Sequence, residues 1–244
     1  MTIYKIFAHI YDEVMDETVY EEWVDFTTRH IGTHPKSILE LACGTGIVSV
    51  ELANLGHKVT GLDLSEEMIE LAKERTTDED ELLSFEVGDM LGLGKKEMYD
   101  VVTCYSDSLC YMPDESSVST VFKNVYDALK PEGQFLFDVH SIFKIEEEFS
   151  EYSYHYQTDD FAFLWESYPG EVEYSVEHFL TFFVKEPEEM FKRYDELHEE
   201  RTYSIDTYQQ LLKQAGFSTV KVCADFTDNE PHQESKRWFF VCQK

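Results

Sequence analysis

The 244-residue chain is short of positive charge: 20 lysines and arginines stand against 50 aspartates and glutamates, a formal net charge of −30. A surface of that sign repels phosphate backbones and offers no counterion-release affinity, so direct action on nucleic acid is disfavoured. Apolar runs are short too. None approaches the roughly 20 residues that span a bilayer, and Met1 to Ile10 lacks the pattern of a signal peptide. The five cysteines, Cys43, Cys104, Cys110, Cys223 and Cys242, are odd in number and include no C-x-x-C pair. Reduced thiols in a cytoplasmic protein are the simplest reading. Scattered histidines and acidic runs without calcium-loop spacing predict no metal centre. No linker, repeat or low-complexity tract divides the chain, and its length suffices for one sizeable core.

What the chain does have is a strand, a tight turn and a helix in direct succession. Ile38, Leu39 and Leu41 suit a short buried strand. Ala42, Gly44 and Gly46 then remove side-chain bulk at alternate positions, so backbone can approach a ligand. Ile47, Val50, Leu52 and Leu55 follow at helical spacing, and the turn thereby presents free helix N-terminal amides. Gly56 ends that helix, and His57 to Asp63 reads as the next strand with an acid at its tip. From there the Asp63 carboxylate can accept hydrogen bonds from both hydroxyls of a ribose.

Two ligand classes use this geometry. A dinucleotide site wants G-x-G-x-x-G, but Ser49 holds the third glycine's place. Glu40, just before the turn, suits a cationic ligand better than a pyrophosphate. Glu40-x-Ala42-x-Gly44-x-Gly46 resembles the first motif of the class I S-adenosylmethionine-dependent methyltransferases, with Ala42 where many members carry glycine. Four further segments match in order: Asp63 to Lys73, Phe85 to Met90, Tyr99 to Tyr105 and Leu129 to Asp138. The resemblance covers about Ser37 to His140. It implies a Rossmann-like α/β fold: a seven-stranded, mostly parallel sheet with helices on both faces and a reversed seventh strand. It also implies S-adenosylmethionine as cofactor, with Asp63 on the ribose, Asp89 on the adenine amino group, and Leu64 and Met90 beside the ring. Glu40 either orients the loop or reaches the methionine amino group through water. A nicotinamide-dependent oxidoreductase and a non-catalytic cofactor-sensing or protein-binding module are the alternatives.

The rest of the chain arranges itself around that core, all within one domain of residues 1–244. Residues 1–34 read as a helical cover, with Phe7, Ile10, Tyr11 and Val14 on one stripe and Tyr20, Trp23, Val24 and Phe26 in a second cluster. In the resembled family such a cover contacts the cofactor; Tyr11 is the first choice for that contact and Trp23 the second. Residues 35–140 form the cofactor-binding core. Residues 141–203 depart from the βα rhythm. An acidic helix is expected over Ile142 to Phe149. Alternating aromatics at Tyr152, Tyr154, Tyr156, Phe161, Phe163 and Trp165, continued by Val172, Tyr174, Val176 and His178, then predict inserted antiparallel strands. These make either a lid over the site or an interface with a second copy of the chain. Residues 204–244 return to the main sheet: Ser204 caps a helix stopped by Gly216, Phe217 to Cys223 is a strand, and Trp238 to Cys242 is the reversed one.

Methyl transfer from a sulfonium is an in-line displacement that needs alignment and dryness rather than a nucleophilic side chain. Base-amino methyltransferases of this class commonly carry an Asn- or Asp-Pro-Pro-aromatic element after the fourth strand. It is missing here, as is a Pro-Cys nucleophile, so a small-molecule acceptor at nitrogen or oxygen is expected. His140, after the fifth strand, is the first candidate for general base, with His155 and His178 behind it. Tyr105 is a candidate for the same role, for a wall of the site, or for a cofactor contact.

Overall fold

The computed structural model describes residues 17–77, 81–187 and 190–244. Phe7, Ile10, Tyr11 and Val14 lie outside the described residues. The chain alternates as expected: α1 (Glu17–Ile31), β1 (Ser37–Leu41), α2 (Ile47–Asn54), β2 (Lys58–Asp63), α3 (Glu66–Glu74), β3 (Leu83–Val87), β4 (Tyr99–Cys104), α4 (Glu115–Ala128) and β5 (Leu129–His140). Four strands follow, β6 (Ser153–Gln157), β7 (Phe161–Pro169), β8 (Ser175–Glu186) and β9 (Met190–Arg201). Then α5 (Ile205–Ala215), β10 (Thr219–Ala224) and β11 (Arg237–Gln243) complete the described chain. The main sheet has seven strands in the order β10-β11-β5-β4-β1-β2-β3. It is parallel from β5 to β3, whereas β11 runs antiparallel to both β5 and β10.

Period-two alternation along buried strands sends successive side chains to opposite faces, and each face has its own helices. Ile38, Val101, Leu136 and Phe239 join α1, α2 and α3 in one apolar cluster, through Trp23, Phe26, Leu52 and Ile69. Leu39, Val102, Phe137 and Phe240 meet α4 and α5 in the other, through Val121, Phe122, Tyr208 and Leu212. The helix stops read from sequence are in place: Ser65 and Ser204 accept capping hydrogen bonds from Met68 and Thr207 amides, and Gly216 ends α5 at φ 116°. Among the described residues no helix is long and apolar enough to cross a membrane.

Four local expectations need correction. The buried stripe of α2 is Val48, Ser49, Leu52 and Ala53, while Leu55 lies outside it as the C-cap and is 53% exposed. Burying Ser49 is worthwhile because of its partner, described below. Strand β8 starts at Ser175 instead of near Val172, since Tyr174 takes a left-handed φ of 59° that turns the chain. Tyr156 is exposed rather than half-buried, because β6 is the edge of its sheet. The acidic helix is a single π-type turn over Lys144–Glu148. The four inserted strands form a separate antiparallel sheet, β6-β7-β8-β9, with its own cluster of Phe161, Phe163, Leu180, Phe182 and Tyr194.

Candidate active site

The carboxyl ends of β1, β2, β4 and β5 lie side by side, and chemistry-bearing residues collect there. The loop after β1 is held by β2. Asp63 accepts from the Gly44 amide at 2.8 Å with one oxygen and from the Ser65 amide at 2.9 Å with the other. The turn needs left-handed backbone at three positions, Ala42 (φ 52°), Gly44 (φ 55°) and Gly46 (φ 81°). At Gly46 a Cβ would also come within 2.5 Å of the Phe85 ring, and one at Gly61 within 2.6 Å of the same ring. Close packing of helix on sheet is therefore secured by Gly46 and Gly61 around Phe85, which releases Ser49 for a polar role.

Ser49 donates to the Glu40 carboxylate, and both side chains are buried. Burial pushes the Glu40 carboxyl up to about 8; the Ser49 hydrogen bond opposes the rise and the Asp63 charge adds to it. Among the described residues no basic side chain pairs with Glu40, and a positive charge brought there would favour its ionised form. Burial also raises Asp63, against the hydrogen bonds from the Ser65, Gly44 and Leu64 amides. Asp63 keeps acceptor capacity beyond those amides, as a ribose diol requires. Beyond β3, Asp89 accepts from the Leu91 amide at 2.8 Å, Met90 packs against the core, and Leu64 is exposed.

A second group sits at the ends of β4 and β5. Asp138 accepts from Trp23 Nε1 at 2.9 Å, Arg237 Nη1 at 2.6 Å and the Asp107 amide at 3.1 Å. Arg237 Nη2 donates to Asp107 at 2.7 Å, and its guanidinium lies 5.6 Å from the Trp23 ring. Ser106 and Asp107 both adopt left-handed φ, 55° and 49°, a strained turn kept in place by these bonds. Burial works against ionised Asp107, yet His140 and Arg237 together hold its carboxyl well below the usual range. For Asp138 burial prevails over Arg237, and the nearby Asp107 charge pushes the same way, upward.

His140, the last residue of β5, is buried with Nε2 3.4 Å from Asp107 Oδ2 and 3.4 Å from Glu200 Oε2. Glu200 arrives from β9 of the inserted sheet, so two sheets meet at this imidazole. A cleft of about 450 Å³ opens beside it, lined by His140, Lys144, Asp225, Phe226, Lys236 and Arg237. Tyr105 is buried below; its hydroxyl is 2.7 Å from Thr27 Oγ1 and its ring stacks on Trp23 at 6.2 Å. Burial raises that phenol far above its ordinary value. His155 is on the edge strand β6, while His178 lies 3.4 Å from Glu200.

Sequence reading had the histidines scattered; the fold gathers three of the acid and imidazole groups at one point. Asp107, His140 and Glu200 each place a ligand-type atom within 4.8 Å of the others, as do His30, Cys223 and Asp228. Arg237 supplies positive charge at Asp107 in the first trio, and in the second Asp228 is paired with Arg29, His30 and Lys221. Arg237, Asp107 and Glu200 were beyond sequence reasoning, because each is far in the chain from the partners that give it meaning.

Comparison with known proteins agrees with this construction. A family model described as a methyltransferase domain matches residues 38–133. The putative methyltransferase YqeM of Bacillus subtilis (strain 168) is 41% identical over 242 residues, covering 99% of this chain and 97% of that protein. A putative methyltransferase of Geobacillus sp. (strain WCH70) is 39% identical over 245 residues, with 99% of each covered. The crystal structure of an S-adenosylmethionine-dependent methyltransferase from Clostridium acetobutylicum ATCC 824 superposes with a TM-score of 0.83 at 27% identity, covering 99% of both chains. The sugar N-methyltransferase KedS8 from Streptoalloteichus shares the fold at 18% identity and a TM-score of 0.76, over 100% of this chain and 93% of that one. The nicotinamide alternative and the non-catalytic one both give way. With its glycine loop, its ribose-type acid and full-length relatives of the same kind, the chain belongs to the class I S-adenosylmethionine-dependent methyltransferases, enzymes whose methyl donor is S-adenosylmethionine.

Proposed function

We propose that this enzyme methylates a nitrogen or oxygen of a small-molecule acceptor, held beside His140 in the cleft between the carboxyl end of β5 and the connection from β10 to β11. The observation that carries the reading is the burial of His140 between Asp107 and Glu200 at the mouth of a cleft sized for a small molecule. S-adenosylmethionine supplies the electrophilic methyl group. Ala42, Gly44 and Gly46 cradle it, Asp63 binds its ribose, and Asp89 with Leu64 and Met90 holds its adenine. Glu40 faces its positive charge. Tyr11, outside the described residues, is assigned to the same cofactor on sequence grounds.

The chain's own part in the reaction is alignment, exclusion of water and custody of one proton. A nitrogen or oxygen that gains a methyl cation must shed a proton, and His140 is the imidazole placed to take it. Asp107 and Glu200 would stabilise the imidazolium that results. Tyr105, with its hydroxyl engaged by Thr27, serves as a wall, and Trp23 fixes that wall to Asp138. The inserted sheet acts as the lid. That KedS8 is a sugar N-methyltransferase makes small amines the first compounds to try. The acidic surface and the short apolar runs favour work in the cytoplasm.

The test is transfer of radiolabelled methyl from S-adenosylmethionine to panels of small amines and of small hydroxyl compounds. Labelled low-molecular-weight product, lost in His140→Ala, is expected. Label found only in protein or nucleic acid would sink the reading.

A further inference from the structure

We infer that Trp165, His178 and Glu200, on three neighbouring strands of the inserted sheet, are positioning residues that hold one carboxylate oxygen against the His140 imidazole. The register makes the row. Glu200 pairs with Val176, two residues from His178 on the same face of β8, and Trp165 pairs with Leu180, two residues from His178 on the other side. All three side chains therefore stand on one face at diagonal positions.

The chemistry of the row runs in one direction. Trp165 Nε1 is 3.1 Å from His178 Nδ1, and an indole nitrogen can only donate. Ser167 Oγ lies 2.7 Å from the same Nδ1. His178 must accept there, so its hydrogen is on Nε2, which faces Glu200 Oε1 at 3.4 Å. Glu200 is thereby turned so that Oε2 points to His140 Nε2, also at 3.4 Å. Glu200 is only 4% exposed, and among the described residues neither its Oε2 nor His178 Nε2 makes a formed hydrogen bond, both contacts standing at ion-pair distance. A buried carboxylate oxygen left open in this way is completed by a proton on His140.

The other groups facing His140 are accounted for. Asp107 lies 3.4 Å away and is engaged by Arg237, which is the strand partner of His140 on β11. Phe149 presents its ring edge-on at 5.2 Å, and Lys144, Lys236, Asp225 and Glu234 line the cleft beside it. Among the described residues, Glu200 is the group facing His140 that comes from the inserted sheet, and its Oε2 makes no other polar contact. The role in catalysis rests on His140 as the proton acceptor; the array itself does not, since its test needs no acceptor molecule.

The experiment is nitrogen-15 NMR of the histidine rings in the full chain, with the amide spectrum of each variant reporting that the fold is kept. His178 is expected as the Nε2–H tautomer across the titration. Glu200→Gln should lower the proton affinity of His140 about tenfold, the scale set by losing a carboxylate within about 4 Å. His178→Leu should produce part of that loss, and His178→Gln, whose amide restores a donor to Glu200, should recover it. Trp165→Phe keeps an aromatic ring but removes the N–H donor, so Nδ1 should be able to carry a proton and donate it to Ser167 Oγ; this variant stands in should Glu200→Gln not fold. An Nδ1–H tautomer for His178, or a His140 indifferent to Glu200→Gln, would overturn the array. So would stoichiometric binding of Zn²⁺ or Mn²⁺ that shifts the His140 signals, which would make the cluster a metal centre.

Discussion

The two sheets of this protein are built on different physical terms. The seven-stranded sheet is buried on both faces, and its site residues come from loops next to the strands that define them: Glu40, Gly44 and Gly46 follow one another, and Asp63 tips the adjoining strand. The four-stranded sheet contributes to two small apolar clusters among the described residues, with Tyr168, Phe179 and Leu197 exposed on it, and it reaches His140 through charged and imidazole groups from separate strands. The contrast teaches that the glycine loop and its acid are a local property of chain segments, whereas the cluster at His140 depends on two sheets meeting correctly.

The strongest way to break that distinction is at the joint between the halves. Arg237→Met leaves Asp107 and Asp138 as buried carboxylates without their cation, and should destabilise the protein by about 3–5 kcal/mol in urea unfolding. A loss below about 1 kcal/mol would mean that the pair is already neutral. Next in size is Asp63→Ala, which removes the tether on Gly44 and the acid proposed to accept from the ribose. Calorimetry should show S-adenosylmethionine affinity falling on the order of 100-fold with the fold intact.

Glu40 sharpens the comparison through pH. Its carboxyl rises from an ordinary 4.5 to about 8 in the folded protein, so the folded state binds the extra proton between those values. Stability is then fully present below pH 4.5 and is lost as pH climbs toward 8, by about 2 kcal/mol between pH 6 and 8. Glu40→Gln should flatten that slope. In the wild type, binding of the cationic cofactor near pH 7 should release protons, read from calorimetry in buffers of different ionisation enthalpy, while S-adenosylhomocysteine, lacking the sulfonium, should release fewer. The smallest expected effect is Phe163→Leu in the inserted cluster. It should cost about 1 kcal/mol of local stability by hydrogen exchange and leave S-adenosylmethionine affinity unchanged. A parallel loss of affinity would show that the two halves are not separable.

The legibility of the sequence follows the same divide. Strands β1 to β5, the reversed β11, the caps at Ser65 and Ser204 and the loop from Glu40 to Gly46 were readable, because periodicity, caps and turns act over a few residues. Strand β9 was not: Met190 to Arg201 is rich in charge and carries its inward-facing Glu196, His198 and Glu200 at alternate positions, a pattern that looks solvated until the opposing sheet is known. Ser49 looked like a missing glycine, and only the packing of Phe85 on Gly46 and Gly61 shows why a hydroxyl could take its place.

The sequence by itself determined the parallel core, the cofactor loop and the acid at the tip of β2, since each arises from contacts between neighbours along the chain. Only the tertiary structure decided that Arg237 lies on Asp107 and Asp138, and that Glu200 meets His140 across 60 residues. Those choices rest on buried charge, whose cost depends on which oppositely charged or hydrogen-bonding group the whole fold brings within a few ångströms.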